Sequence, residues 1–287
     1  MLASVVPCRG FEAVSETSYQ PPAVDSLRAG QGPLVLLVHS SVSGARQWRR
    51  LMGELEDRFQ LVAVNLFGYG DTTTWHGRSP QALEDQAALV EAVLPDRDAR
   101  LCLVGHSFGA SVAMRAAQRL GARVDRLVLL EPNPFYLLER HGRREAFAEI
   151  LALRTCMKRK GAAGDWTAAA ERFADYWGGA GTWAAMPEGR RASFVEGLKP
   201  NLHEWDAVLG ETTTLEEWSE ALPRETLVVS ARQTLRPIRE IVELMRETCP
   251  AWRFREVADG GHMAPLTRPD LINPIVSAFL DGKEGAR

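Results

Sequence analysis

The sequence has no apolar run approaching the roughly 18 residues that a membrane-crossing helix needs. It also has no excess of positive charge: across 287 residues the formal net charge is −3, which argues against nucleic acid or an anionic membrane as an obligatory partner. Cysteine is scarce, and Cys8, Cys102, Cys156 and Cys249 stand far apart with no CxxC pair. That spacing reads as reduced thiols of a cytoplasmic protein, with Cys102 as a small core residue. The six histidines form neither HxH nor HExxH, so no metal site is expected. Met1-Leu2-Ala3-Ser4-Val5-Val6-Pro7 has neither a basic start nor a sustained apolar core, so it does not read as a signal peptide. Gly68-Tyr69-Gly70 and Gly105–Gly109 are glycine-rich, but neither leads to the lysine of a GxxxxGK[ST] loop. Nucleotide binding is therefore disfavoured and no cofactor is expected.

What the chain does have is apolar, β-rich runs alternating with amphipathic helical stretches. This pattern predicts an α/β fold with a mostly parallel sheet covered by helices on both faces. Strands are expected at Leu34–Val38, Leu61–Val64, Leu101–Val104, Leu127–Leu130, Leu227–Val229 and Trp252–Val257, with an antiparallel edge contributed by the residues before Leu34. Ser79-Pro80 reads as an N-cap followed by proline at the first helical position, opening a helix to about Leu94. Pro237 opens a helix over Ile238–Thr248 with Ile241, Leu244 and Met245 on one face. Pro269 opens the last helix, ending near Leu280, and the polar tail from Asp281 to Arg287 is expected to fray.

Between Glu131 and Thr226 no strand pattern occurs, yet helical patterns abound and five of the eight tryptophans fall there: Trp166, Trp177, Trp183, Trp205 and Trp218. A crossover in a compact α/β unit needs far fewer residues. The stretch therefore predicts a helical cap over residues 133–222, inserted in a core built from residues 1–132 and 223–287, and lying over the carboxyl edge of the sheet.

The chemistry-bearing feature is Gly105-His106-Ser107-Phe108-Gly109, directly after the apolar run Leu101–Val104 and directly before a helical pattern from Ala110 to Leu120. Strand, small-X-Ser-X-small, helix is the signature of a nucleophile elbow. The turn is tight enough to strain the serine, and side chains at the flanking glycines would strike the neighbouring strand and helix. Ser107 is the candidate nucleophile, pushed out at the carboxyl end of the sheet beside a helix N-terminus. The competing reading is a serine that only caps the helix. His262, in Asp259-Gly260-Gly261-His262-Met263-Ala264-Pro265 after the last strand, is the candidate base, because an imidazole titrates near neutrality. His39 and His106 are poorer candidates, each sitting in a motif position with another job.

These segments resemble the α/β-hydrolase family, in the order nucleophile, acid, histidine, and the resemblance covers most of the chain outside the cap. Many members of that family carry an aspartate after the next-to-last strand. Here that place is taken by Gln233 or Thr234, neither of which stabilises an imidazolium by charge. A second position within the fold follows the strand after the elbow helix, and Glu131 occupies it. The resemblance therefore implies Glu131 as the acid, with Asp259 in reserve. It also implies an oxyanion hole from the N–H groups of Phe108 and Ser41, since His39-Ser40-Ser41 looks like the family's His-Gly-X-Pro loop with Ser40 for glycine. The ring of His39 is expected to hold that loop by hydrogen bonds. Asn65–Asp71 resembles the family's Asp-X-X-Gly-X-Gly-X-Ser turn and is read as scaffold. Phe67, Phe108, Phe135 and Tyr136, with cap tryptophans, are candidates for the wall of an apolar pocket or for core.

The function so implied is a serine hydrolase acting on a carboxylic ester of a small, apolar molecule. Two alternatives stay open: a carbon–carbon bond hydrolase, and a non-catalytic ligand-binding protein on the same scaffold. Contact between Glu131 and His262 is the feature that separates a working triad from a dead one. The oligomeric state is left open.

Overall fold

A computed structural model describes residues 21–283 apart from Arg78 and Arg97. Seven strands form one sheet: β1 (Ser26–Ala29), β2 (Leu34–Val38), β3 (Gln60–Val64), β4 (Leu101–His106), β5 (Val124–Leu130), β6 (Thr226–Ala231) and β7 (Arg253–Val257). Their order is β1-β3-β2-β4-β5-β6-β7. Only β1 runs antiparallel, pairing Ser26 with Val64, so the expected edge is present; the calls on the first twenty positions, Cys8 included, lie outside the described residues. Outside the long β5–β6 connection the helices are α1 (Arg49–Leu55), α2 (Leu83–Ala92), α3 (Phe108–Leu120), α11 (Arg236–Thr248), α12 (Ala264–Thr267) and α13 (Pro269–Leu280). The connection itself holds α4 (Tyr136–Arg140), α5 (Arg144–Ala162), α6 (Trp166–Gly178), α7 (Thr182–Ala185), α8 (Glu188–Leu198), α9 (Asn201–Leu209) and α10 (Leu215–Ala221).

The unbroken apolar runs follow from burial on both faces. Leu34, Leu36 and Val38 of β2 join one core cluster with α2 and α3, whereas Val35 and Leu37 join another with α1 and α13. Successive side chains of a strand point to opposite faces, so a strand covered on both sides must be apolar throughout. Cys102 sits in the second cluster, its thiol pushed up to about 11 by burial. It is a free thiol, as are half-buried Cys156 and buried Cys249 among the described residues.

The second helix departs from expectation at its start. It begins at Leu83 rather than at Ser79-Pro80, with Ala82 as N-cap. Asp85 reaches back to accept the Ala82 N–H at 2.8 Å, and Gln81 is held outside the helix by a 2.9 Å bond from Gln86. The Asp85 carboxylate in the first turn has thus outcompeted Ser79, six residues earlier. At the other end Asp281 is tied to Arg58 and to Lys283, so the chain is fixed there; residues 284–287 lie outside the description. Among the described residues no helix is long and apolar enough to cross a membrane.

Polar contacts tie the helical insertion between β5 and β6 to α3, and tie its first helix to its last. Arg115 of α3 forms an ion pair with buried Glu211 and lies over the ring of Trp218, 4.9 Å from its centroid. Tyr136 accepts from Trp218 Nε1 and donates to the Thr213 carbonyl, each at 2.7 Å.

Candidate active site

Ser107 immediately follows β4 and adopts φ 54°, ψ −120°, a region costly for any residue with a side chain. Its flanking glycines have no room for one. A Cβ on Gly105 would lie 2.3 Å from the Gly109 carbonyl oxygen, and one on Gly109 would lie 2.3 Å from that of Val38. The backbone is pinned by a bond from Ser107 N–H to Leu130 O at 2.9 Å. Although Ser107 occupies the N-cap of α3, its side chain makes no capping bond; Oγ instead lies 2.9 Å from Nε2 of His262. That disposes of the helix-cap reading.

His262 reaches the serine because Gly260 and Gly261 after β7 both take positive φ, 100° and 55°, folding the loop back over the sheet's carboxyl edge. Its Nδ1 lies 3.2 Å from Oε2 of Glu131. A carboxylate oxygen accepts, so Nδ1 carries the proton and Nε2 offers its lone pair to the serine hydroxyl. Two aromatic neighbours fix the imidazole. Trp177 of α6 covers it at a centroid distance of 4.2 Å, and His106 donates Nε2–H to the His262 carbonyl at 3.0 Å. Burial lowers the pKa of His106 well below the ordinary histidine value, with the neighbouring imidazoles of His262 and His39 adding to it, so His106 stays a neutral donor.

Glu131 also holds a strained backbone, at φ 49°, and is buried. Its N–H bonds Val229 O at 2.8 Å. Its side chain is clamped by the end of β6: Ala231 N–H donates to Oε1 at 2.5 Å and the Thr234 hydroxyl donates to Oε2. Thr234 thus stands where the acid was sought and bonds the Glu131 carboxylate that comes from the neighbouring strand. Asp259, the reserve candidate, forms an ion pair with Arg268 and is half-exposed.

Ser41 and Phe108 both line the cavity that contains Ser107 and His262. Phe108 is the first residue of α3, so its N–H has no carbonyl one turn back within the helix. His39 holds the Ser41 loop as expected, with Nδ1 bonded to Ser40 O at 2.7 Å and Nε2 accepting Leu66 N–H at 3.1 Å. Burial lowers its pKa to about 4, which keeps it neutral. Asn65 is scaffold: its Oδ1 accepts Ala45 N–H at 2.7 Å and its Nδ2 donates to Asp25 at 2.7 Å.

The cavity measures about 770 Å³ and extends under the helical insertion. Phe108, Phe135, Trp177 and Trp205 wall it, with Phe135 stacked between the two tryptophans at 6.3 and 6.0 Å. Two other wall candidates lie elsewhere. Phe67 packs edge-on against Trp75 beside a separate cleft, and Tyr136 is a core residue bonded to Trp218. Among the described residues no cluster of His, Cys, Asp or Glu is arranged to hold a metal ion. Sequence reasoning missed Thr234 as a donor, His106 as a brace, and Glu204, a buried carboxylate beside Ser41.

Known proteins with similar sequences share stretches of this chain. A pimeloyl-[acyl-carrier protein] methyl ester esterase of Vibrio campbellii is 30% identical over 114 residues, 40% of this chain and 42% of that protein. A 2-hydroxy-6-oxo-2,4-heptadienoate hydrolase of Pseudomonas putida is 35% identical over 105 residues, 35% of this chain and 38% of that protein. The chain spans well under half the length of the curated relatives it matches, 30% in the case of an uncharacterised protein of Mycobacterium tuberculosis. Its fold is close to the crystal structure of an alpha/beta hydrolase enzyme from a Medee basin deep-sea metagenome library, with a TM-score of 0.73 over 94% of this chain and 98% of that one at 14% identity. Residues 35–275 match the alpha/beta hydrolase family, and with the elbow, sheet order and inserted helices in place, the chain belongs to that family.

Proposed function

We propose that this chain is a serine hydrolase that cleaves a carboxylic ester of a small, apolar substrate beneath the helical insertion, through an acyl-enzyme on Ser107. The observation that carries the reading is the unbroken chain from Ser107 Oγ through His262 to Glu131, at 2.9 and 3.2 Å, facing an aromatic-walled cavity. His262 Nε2 takes the serine proton as Oγ bonds to the ester carbonyl carbon. The N–H groups of Ser41 and Phe108 receive the oxyanion. The imidazolium then returns the proton to the departing alcohol. Water, deprotonated by the same imidazole, attacks the acyl group, frees the acid and restores Ser107. Throughout, Glu131 accepts from Nδ1–H and stabilises the imidazolium. Residues 133–222 serve as the cap that excludes bulk water. The non-catalytic reading rests on the absent aspartate after Val229; Glu131 within 3.2 Å of His262 supports the hydrolase reading over it.

The test is intact-mass analysis after exposure to a fluorophosphonate. Stoichiometric labelling is expected for the wild type, none for Ser107→Ala, and much slower labelling for Glu131→Gln. An unlabelled wild type would leave Ser107 unactivated and defeat the reading. A second reading, carbon–carbon bond hydrolysis, is favoured by the Pseudomonas putida relative. Side-by-side turnover of a vinylogous diketone and a simple ester separates the two.

A further inference from the structure

Val42, in the loop that carries Ser41, has φ 70°, a genuine outlier for a β-branched residue. Such a conformation persists only where its surroundings over-determine it. Here they do so from the helical insertion. Val42 N–H donates to Tyr69 Oη at 2.9 Å, and Tyr69 in turn donates to Oε1 of Glu204 at 2.7 Å. The other oxygen, Oε2, accepts from Ser41 Oγ at 2.5 Å and from Asn201 Nδ2 at 2.9 Å. Asn201 and Glu204 are three apart on α9, one turn of the same face. A second contact reaches the same loop. Gly197 of α8 sits so close that a Cβ there would be 2.9 Å from the Val42 carbonyl oxygen.

We infer that Glu204 is a positioning residue for the oxyanion loop, fixing the backbone at Ser41 and Val42 from the helical insertion. This rests on the hydrolase reading of Ser107. Glu204 touches neither Ser107 nor His262 by any hydrogen bond; it acts through Ser41 and Tyr69. Three donors converge on it and favour its charged form, against the burial that raises its pKa above the ordinary glutamate value. Tyr69 keeps its proton, because burial first and the Glu204 charge second raise its pKa well above the ordinary tyrosine value. Its hydroxyl can therefore accept from Val42 and donate to Glu204 at once.

Charge and position pull in opposite directions here, and that makes the inference testable. A carboxylate near the oxyanion hole repels a developing negative oxygen, so neutralising it would speed turnover if charge were its main effect. If position dominates, removing it slows turnover. Glu204→Gln keeps the shape but offers one acceptor oxygen to three donors. We expect kcat to fall about ten-fold for Glu204→Gln and about a hundred-fold for Glu204→Ala, with KM within about three-fold. Affinity for a trifluoromethyl ketone, whose serine adduct carries the oxyanion, should fall in step with kcat. Ser41→Ala and Glu204→Ala should be non-additive, since both cut the same link. Tyr69→Phe, with the same expected direction, carries the test if Glu204→Ala does not fold.

A Glu204→Gln enzyme as fast as the wild type or faster, with unchanged ketone affinity, would overturn the inference. So would losses in Ser41→Ala and Glu204→Ala that simply multiply. Ser107→Ala is the control: if that variant turned over the ester normally, the hydrolase reading itself would fail. If it is inactive and Glu204→Gln is normal, only the role of Glu204 fails.

Discussion

Thr234 donates its hydroxyl to Oε2 of Glu131, the same oxygen that faces Nδ1 of His262 at 3.2 Å. The two donors meet on one lone-pair-bearing atom, so the direction of the Glu131 carboxylate is set by β6 and used by the histidine. A carboxylate delivered at the end of β5 is thereby held in place by the segment after β6, which has no carboxylate of its own between Arg232 and Arg239. Thr234→Val keeps the volume and removes the donor, leaving Ala231 N–H as the remaining backbone restraint on Glu131. A hydrogen bond to a charged group contributes about 1.5–3 kcal/mol, so kcat on an ester should fall roughly ten- to a hundred-fold with KM little changed. Steady-state kinetics check this. Wild-type kcat in Thr234→Val would mean that Ala231 suffices.

Two glycines with contrasting surroundings should respond to alanine with opposite signs. Gly53 lies inside α1 and a Cβ there would meet nothing within 4 Å. Alanine relieves the entropic cost of glycine in a helix, so Gly53→Ala should gain about 0.5–1 kcal/mol. A Cβ at Gly105 would be 2.3 Å from the Gly109 carbonyl oxygen and 2.6 Å from Ala110 Cα, both backbone atoms that cannot swing aside. Gly105→Ala should therefore lose soluble expression or unfold at clearly lower urea. Urea titration of both variants decides the matter; equal midpoints would show that the elbow is looser than its contacts imply.

Each element that was legible in the sequence sits where a local pattern and a global requirement coincide. The inner strands read clearly because both of their faces are buried, leaving runs such as Leu34–Val38 without a polar residue, whereas edge strand β7 keeps Arg253, Arg255 and Glu256 partly exposed. Ser107, Glu131 and His262 read clearly because each directly follows such a run or its glycine turn, and the carboxyl ends of parallel strands converge. The start of α2 was misplaced because serine-proline is a strong local signal that the Asp85 carboxylate overrode. What stayed hidden depends on contacts between distant segments. Thr234 meets Glu131 across 103 positions, His106 meets the His262 carbonyl across 156, and Ser41 meets Glu204 across 163. No periodicity or spacing encodes such pairs, and a histidine at the variable position of the elbow carries no sign of what it bonds.

Two buried neutral histidines, His39 and His106, should make the fold acid-labile. Burial lowers His39 to about 4 and His106 well below its ordinary value. A histidine whose folded pKa lies below its unfolded value of about 6.5 contributes stability fully above the unfolded pKa. That stability is lost as pH falls toward the folded value, because the unfolded chain binds the proton first. Between about pH 6 and pH 4 each of the two should cost roughly 1.4 kcal/mol per pH unit. Urea midpoints measured from pH 7.5 to pH 4.5 should fall accordingly. In His39→Gln, where a neutral amide replaces the ring, the overall level should drop but the slope should be about half as steep. A wild-type midpoint flat across that range would show that neither ring is held neutral by the fold.

Trp177 covers the face of the His262 imidazole at 4.2 Å between centroids, and Phe135 stacks behind it at 6.3 Å. The indole belongs to α6 of the insertion, while the imidazole hangs on the loop after β7, so the contact joins the insertion to the core beside Ser107. A flat apolar surface against one face keeps water from that face and limits rotation of the ring about its hydrogen bonds to Ser107 and Glu131. Phenylalanine preserves a flat apolar cover, and Trp177→Phe should hold kcat within about three-fold. Alanine removes it. Trp177→Ala should lose about 3–5 kcal/mol of stability as a buried indole is deleted, and its kcat should fall roughly a hundred-fold, well beyond any change in KM. The comparison must be made at a temperature where both variants remain folded, checked by circular dichroism. If Trp177→Ala then turned over the ester as fast as Trp177→Phe, the indole would be packing for the insertion alone. In that case the Ser107 and Glu131 hydrogen bonds, with the His106 brace, would be enough to hold the imidazole.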